Sequence, residues 1–204
     1  MGDILNPDSV SFEKNKHQPG LQIMNMFTIG LLCFFAGFVY SSFPEWVLHR
    51  YVMHRVFNFF GFKFRYPFNS HAMIHHQIFK ADQSYELKNH YPRDQQSHQE
   101  TIPMAWWNGP VLIAIMSLPF LAMIFIDVPW FMVISIILGI ACYYCAYEYI
   151  HWCMHKPKGR WFERTWIYKW IKDHHRRHHA HMNRNNFNVV LPLADLCFGT
   201  LLLE

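Results

Sequence analysis

The chain has 204 residues, 52% of them apolar and 18% aromatic, and a net charge of +4. Its length implies one domain over 1–204, and the apolar residues fall in blocks too long for an ordinary soluble protein. Five cysteines with no secreted-domain framework around them exclude a disulfide-stapled fold, and nothing in the charge pattern calls for nucleic acid as a partner.

Residues 1–20 are polar, mixed in charge and end in Pro19-Gly20. That is not the basic-then-apolar layout of a cleavable signal, so they read as an N-terminal tail closing in a turn. From Gln22 to Pro44 there is no ionised side chain. A bilayer core of about 30 Å takes roughly 20 helical residues, which predicts a span over 21–44. A single span leaves the N-terminus opposite the segment that follows. A break at Ser41-Ser42-Phe43-Pro44 would instead make a pair of helices and return it to the same side. The sequence leaves both open.

Residues 45–108 form a first histidine-bearing segment. Its aromatic run, Phe57 to Phe64, reads as an interfacial anchor in preference to a substrate path. The polar stretch Lys80–Gln99 reads as a loop, with His90 and His98 as surface residues. No Asp, Glu, Lys or Arg lies between Glu100 and Asp127 or between Asp127 and Glu148. This predicts spans over 110–126 and 128–147, joined at Asp127-Val128-Pro129 as a transmembrane hairpin with a kink at Pro119. Cys142 and Cys145 have redox-pair spacing, but within an apolar helix they read as small packing residues. Residues 148–204 form the second histidine-bearing segment. Of 18 Lys and Arg, seven lie in 45–108 and nine in 148–204. The positive-inside rule therefore places both segments on the cytoplasmic side. The predicted fold is all-α, with multi-pass transmembrane helices under a cytoplasmic helical cap.

Ten of the fifteen histidines make four clusters: His49 and His54; His71, His75 and His76; His151 and His155; His175, His178 and His179. Imidazole is the commonest side-chain ligand of transition metals. Residues four apart share a helix face, separated by about 40°. His151 with His155 and His71 with His75 meet this, leaving His76 offset toward a second centre. His175, His178 and His179 fall on one stripe. His49 and His54 stand about 140° apart on an ideal helix, so they serve different metals unless the helix widens there. Arg176 and Arg177 are expected to disfavour charged imidazoles and keep the ligand form. Carboxylates number only 14 and do not join the clusters, unlike the Glu-rich sites of soluble di-iron bundles. Ten histidines also exceed the three protein ligands of a hydrolytic zinc site. The pattern points to two metals at one membrane face, in a cap built to hold a histidine-ligated dimetal site. A metal transporter is the rival, but transporters place ligands near the midplane, and the three apolar blocks contain no histidine.

In order and spacing, the boxes across 49–179 resemble those of the integral-membrane fatty acid hydroxylase and sterol desaturase superfamily. His151-x3-His155 is a box that acyl-CoA desaturases lack. The tail Asn186-Phe187-Asn188-Val189-Val190-Leu191-Pro192-Leu193-Ala194-Asp195-Leu196-Cys197-Phe198-Gly199-Thr200 resembles the family ending Asn-Phe-Gly-Val-x-x-Pro-Leu-Trp-Asp-x-x-Phe-Gly-Thr. Asn188 stands for its glycine, a mild change because Asn tolerates left-handed backbone. Ala194 stands for its tryptophan, which widens whatever that ring packs against.

The resemblance implies ten ligands: His49, His54, His71, His75, His76, His151, His155, His175, His178 and His179. By type and proximity, Asp173, Asp195 and Glu148 are candidates to accept their remaining ring N–H groups, with His174 and His181 as neighbours behind the ligands. It implies two iron ions, with zinc an alternative occupant in purified protein. The implied activity is O2-dependent hydroxylation or desaturation of a lipid acyl chain, with a fatty acid or sphingolipid first. Sterol desaturation or oxidation follows, then carotenoid ring hydroxylation, since His49-Arg50-Tyr51-Val52-Met53-His54 resembles that first box. Electrons would come from a separate cytochrome b5, ferredoxin or rubredoxin-type donor. The ending Leu201-Leu202-Leu203-Glu204 carries no ER-retrieval signal, which favours a bacterial inner membrane over the ER.

Overall fold

The computed structural model describes residues 19–79, 104–181 and 184–203, with side chains from 24 onward. The polar stretch 80–99, with His90 and His98, lies outside the described residues. The chain is mostly helical, and three of its helices are long and apolar enough to cross a membrane: Met24–Met53, Asn108–Ile126 and Trp130–His155.

Helix α1 (Pro19–Tyr40) starts within the expected tail, with proline in its first turn. It runs on into α2 (Ser42–Leu48). Ser41 keeps helical backbone, with φ −61° and ψ −20°. The hydrogen bonds Ser41 N–H to Gly37 O (3.2 Å) and Glu45 N–H to Ser41 O (3.1 Å) carry the ladder through. The serine-rich step is therefore part of one continuous rod, not a break.

Helix α5 (Asn108–Leu121) persists through Pro119 and tightens to 3-10 geometry over Ala122–Ile126. The corner at Asp127 has φ 59°, and α6 (Trp130–His155) then returns along α5. Met116 and Phe120 pack with Ile136 and Ile140, and Gly109 lies against Tyr144, so the pair is antiparallel.

Helices α1 and α6 run parallel and meet backbone to backbone. A Cβ on Gly139 would sit 2.0 Å from the Phe34 carbonyl oxygen, and one on Gly37 would sit 2.2 Å from that of Ile136. Glycine is thus required at both positions, the small-residue device by which helices approach closely in lipid. The outer faces of all three long helices stay apolar and uncovered, as at Phe27 and Leu32 on α1, Leu118 on α5 and Leu138 on α6. Cys142 and Cys145 are exposed on α6 and unpaired. Because α1 and α6 are parallel, the rod of α1 and α2 delivers His49 at its end to the same pole as His151 and His155 at the end of α6.

Beyond α2 the expected all-α pattern is broken. Phe57–Phe59 (β1) pairs antiparallel with Phe62–Phe64 (β2) around a turn at Phe60 and Gly61, both with positive φ (47° and 84°). A two-residue turn of that hand matches strand twist, and alternating Phe residues suit strands better than a polar-backed helix. The hairpin leads into α3 (Tyr66–Phe68), a π-helical turn over Asn69–His75, and α4 (His76–Ile78). After α6, Glu163 accepts the backbone N–H groups of Gly159 (2.7 Å) and Arg160 (3.1 Å) and pairs with the Arg160 side chain. This turn launches the amphipathic α7 (Trp166–Ala180), and α8 (Leu193–Cys197) closes the described chain.

Candidate metal centre

All ten clustered histidines converge at that pole, in two groups of five. His49, His54, His71, His76 and His178 form the first group; His75, His151, His155, His175 and His179 form the second. Within each, one nitrogen per ring lies within 4.8 Å of every other, and all the rings but the half-buried His155 are buried.

The partition differs from ideal α-helical spacing, and two π-helical turns are the reason. In the turn His49–Met53 the N–H of His54 bonds to the carbonyl of His49 (3.2 Å). In the turn Asn69–His75 the N–H of His76 reaches the carbonyl of His71. Bonds to the fifth residue back widen the helix until residues five apart share a face. His49 therefore joins His54, and His71 joins His76, while His75 turns toward the other group. On the α-helical segments the ordinary rule holds: His151 pairs with His155 and His175 with His179. His178 leaves its stripe for the first group.

Nε2 atoms point inward. In the first group they lie 2.8 Å (His49 to His71), 3.0 Å (His54 to His178) and 3.0 Å (His71 to His76) apart. In the second they lie 3.2 Å (His151 to His155), 3.1 Å (His155 to His175) and 3.0 Å (His175 to His179) apart. A metal–imidazole bond of about 2.05 Å sets adjacent nitrogens about 2.9 Å apart at a right angle and about 3.3 Å at the tetrahedral angle. Facing lone pairs at such distances repel unless a cation or a proton lies between them. His75 makes the same point alone, since both of its buried ring nitrogens lack a hydrogen-bond partner. Each group could hold a metal ion, and an all-imidazole set suits zinc, copper, iron or nickel. The groups adjoin, with His76 and His179 ring centroids 4.2 Å apart.

Burial, and after it the neighbouring imidazoles, hold His71, His75, His76 and His175 well below the usual histidine range. Burial and then His178 push His54 down to about 2. Burial lowers His179 to about 4 against the opposing pull of the Phe79 carbonyl. Neutral rings, the ligand form, are thus imposed from inside the cluster. Arg176 and Arg177 are not the cause; both pair with Asp173 (2.8 and 2.5 Å) on the outer surface.

Behind three of the rings stand backbone carbonyls in place of the expected carboxylates. His49 Nδ1–H donates to the carbonyl of Phe187, His178 Nδ1–H to that of Asn185 (3.0 Å), and His179 Nδ1–H to that of Phe79 (2.8 Å). Each carbonyl fixes the tautomer and leaves Nε2 bare to point inward. Asp173 is occupied by the arginines, and Glu148 accepts the Met104 N–H (3.0 Å). His181 is exposed beyond the end of α7. Asp195 takes His174 Nε2 (3.2 Å), and His174 belongs to neither group. The other partners of Asp195 are the N–H groups of Phe187 (2.9 Å) and Asn188 (2.7 Å) and the Thr200 hydroxyl (2.7 Å). These bonds outweigh its burial and keep its carboxyl below the usual range.

Several of these partners escape sequence reasoning. Glu45 accepts from Val189 N–H (2.7 Å), Asn188 Nδ2 (2.9 Å) and Tyr143 OH (2.5 Å), tying α2 to the tail and to α6. Its signal was available: it is the lone carboxylate between Lys16 and Arg50, one turn before His49. Asn188 does not take the left-handed backbone; Asn186 does, with φ 57°. Asn188 instead reaches the Ser42 carbonyl (2.8 Å). Ala194 is fully buried against Trp46 and Phe187, so no widened space follows from its small side chain.

Beside the histidines lies a cavity of about 710 Å³ between α2, the β-hairpin, α5 and α6. His49, His71, His75 and His151 form part of its wall, Phe57 and Phe64 another, and most of the remainder is aliphatic or aromatic. The hairpin thus sets these two rings at the cavity, while all five of its phenylalanines, Phe57, Phe59, Phe60, Phe62 and Phe64, are exposed.

The site and the fold define a mostly helical chain with three helices able to span a membrane and a histidine cluster able to bind metal. No protein-family model matches the chain, and no match is found among curated proteins or solved structures.

Proposed function

We propose that the chain is a membrane-bound di-iron oxygenase that hydroxylates or desaturates a lipid acyl chain, a fatty acid or sphingolipid first, within the superfamily its histidine boxes resemble. One observation carries this reading: two adjoining five-imidazole groups form part of the wall of an apolar cavity of about 710 Å³ set between membrane-length helices. A cavity so lined suits a hydrocarbon tail, and pockets of this size bury most of a ligand of that class. The ten histidines would hold the two irons, five to each. Bound there, the irons would supply the O2-dependent oxidising power toward a C–H bond that protein side chains lack.

The chain's own residues do the rest. Val111, Leu112, Ile115 and Met116 flank the tail and exclude water, while Val52 and Met53 keep it against the histidine wall. Reducing O2 to water takes four electrons; oxidation of the substrate gives two, so two come from a separate donor of cytochrome b5, ferredoxin or rubredoxin type. Arg164 and Lys169, exposed around α7, offer an acidic donor a basic face. The same excess of basic residues supports placing the histidine pole on the cytoplasmic side.

The test is lipid profiling of a host expressing the chain beside its His178→Ala variant, with labelled acyl lipids, sterols and carotenoids supplied in parallel. The reading expects an O2-dependent hydroxylated or unsaturated acyl product that the variant forms at no more than about a hundredth of the rate, or about 2.7 kcal/mol. Product from the sterol or the carotenoid alone would move the substrate. Identical profiles would remove the oxygenase.

A further inference from the structure

We infer that the tail segment 185–200 is a positioning device for one metal position only: it sets the affinity of the His49, His54, His71, His76 and His178 group and leaves the other group untouched. The inference rests on the reading of both groups as metal sites. Two carbonyls of this segment, on Asn185 and Phe187, orient His178 and His49. The Phe187 ring packs on His49, His54 and His178, with centroids 6.0, 6.1 and 5.6 Å away. All three histidines belong to the first group. The second group has its own cover: Phe79 supplies the carbonyl for His179 and lays its ring on His75 and His155 (5.2 and 4.4 Å).

What holds the tail segment in place is buried and polar. Asp195, fully buried, gathers the N–H groups of Phe187 and Asn188, the Thr200 hydroxyl and His174 around one carboxylate. Glu45 clamps Val189 and Asn188 from the other side. An amide in place of the Asp195 carboxylate presents a donor where the chain also presents donors. The segment must then shift, and the carbonyls of Asn185 and Phe187 shift with it. His49 and His178 lose the partners that aim their Nε2 atoms. Asp195 and Glu45 are positioning residues, since neither touches a ligand ring.

The test uses full-length protein in detergent, freed of metal and titrated with zinc against a competing chelator. Two backgrounds isolate the positions: alanine at His75, His151 and His179 leaves only the first group able to close a tetrahedral site, and alanine at His54, His71 and His76 leaves only the second. In the first background, Asp195→Asn is expected to weaken zinc binding by about 10- to 100-fold. In the second background it is expected to change nothing. Glu45→Gln and the milder Thr200→Val should follow the same pattern with smaller effects, and they decide the matter should Asp195→Asn fail to fold. Equal weakening in both backgrounds, or in neither, would overturn the inference while leaving two zinc ions on the unmutated chain. An unmutated chain that binds no zinc would overturn the metal reading itself.

Discussion

The two groups of five histidines are built alike from opposite helical geometries. The first takes two pairs spaced by five, His49 with His54 and His71 with His76, each on a π-helical turn. The second takes two pairs spaced by four, His151 with His155 and His175 with His179, each on an α-helix. Each then borrows one histidine from the other's elements: His178 from α7 joins the first, and His75 from the widened turn joins the second. Each is also capped by one phenylalanine that gives both a carbonyl and a ring, Phe187 or Phe79. The lesson is that local helical pitch, more than the count of intervening residues, decides which centre a histidine serves. Two neighbouring pockets can then be cut from four boxes.

The largest expected effect breaks both halves of the comparison together. Helix α1 leads to the first π-helical pair and α6 carries the first α-helical pair, and the two helices meet at Gly37 and Gly139. In Gly139→Leu the side chain would enter the Phe34 carbonyl, a backbone atom that cannot rotate away. Overpacking of this kind costs about 3 kcal/mol or more. Unfolding in a graded denaturing detergent should show that loss, with both groups losing metal in step. Retention of one group alone would mean that the helix crossing does not set the pole.

The next effect separates the halves. One alanine inserted between Trp152 and Cys153 moves His155 to five residues from His151 while leaving the π-helical pairs untouched. On an α-helix the two rings then stand about 140° apart. Metal analysis of the purified variant should give about half the content of the unmutated chain, with the first group retained. Full retention would mean that α6 absorbs the insertion as a π-bulge, as the 49–54 segment does.

The ten histidines were legible in the sequence because paired imidazoles announce themselves by type. The apolar blocks around 21–44, 110–126 and 128–147 were legible for the same reason, as was the corner at Asp127. The partition was legible only in part: a widened helix was one of the two readings of His49 and His54, but nothing in His71-Ala72-Met73-Ile74-His75-His76 marks a widened turn. A spacing of five read on an α-helix sends His49 and His54 apart, and only the bond to the fifth residue back reunites them. The partners behind His49, His178 and His179 were illegible for a deeper reason: they are backbone carbonyls, which every residue owns. Asp195 was singled out for type and proximity, but what it holds is the loop that bears two of those carbonyls, an arrangement only packing reveals. Phe57 to Phe64 concealed a hairpin because a continuous aromatic run hides its alternation, although Gly61 beside Phe60 was a turn signal.

The smallest effect concerns that hairpin, which links the two π-helical pairs and has no counterpart between the α-helical ones. Phe60 holds φ at 47° with its ring 95% exposed. A left-handed residue with an ordinary side chain costs about 1–2 kcal/mol, and Asn escapes much of that. Asn before Gly is also the preferred pair for such a turn. Phe60→Asn should therefore stabilise the hairpin by up to about 1 kcal/mol, seen as slower amide exchange at Phe57 and Phe64. Metal content of both groups should stay the same, since the ring touches neither. Should the first group tighten as well, the hairpin would be a strut that sets the separation of His54 and His71, and the π-helical half would owe its geometry to three elements where the α-helical half needs two.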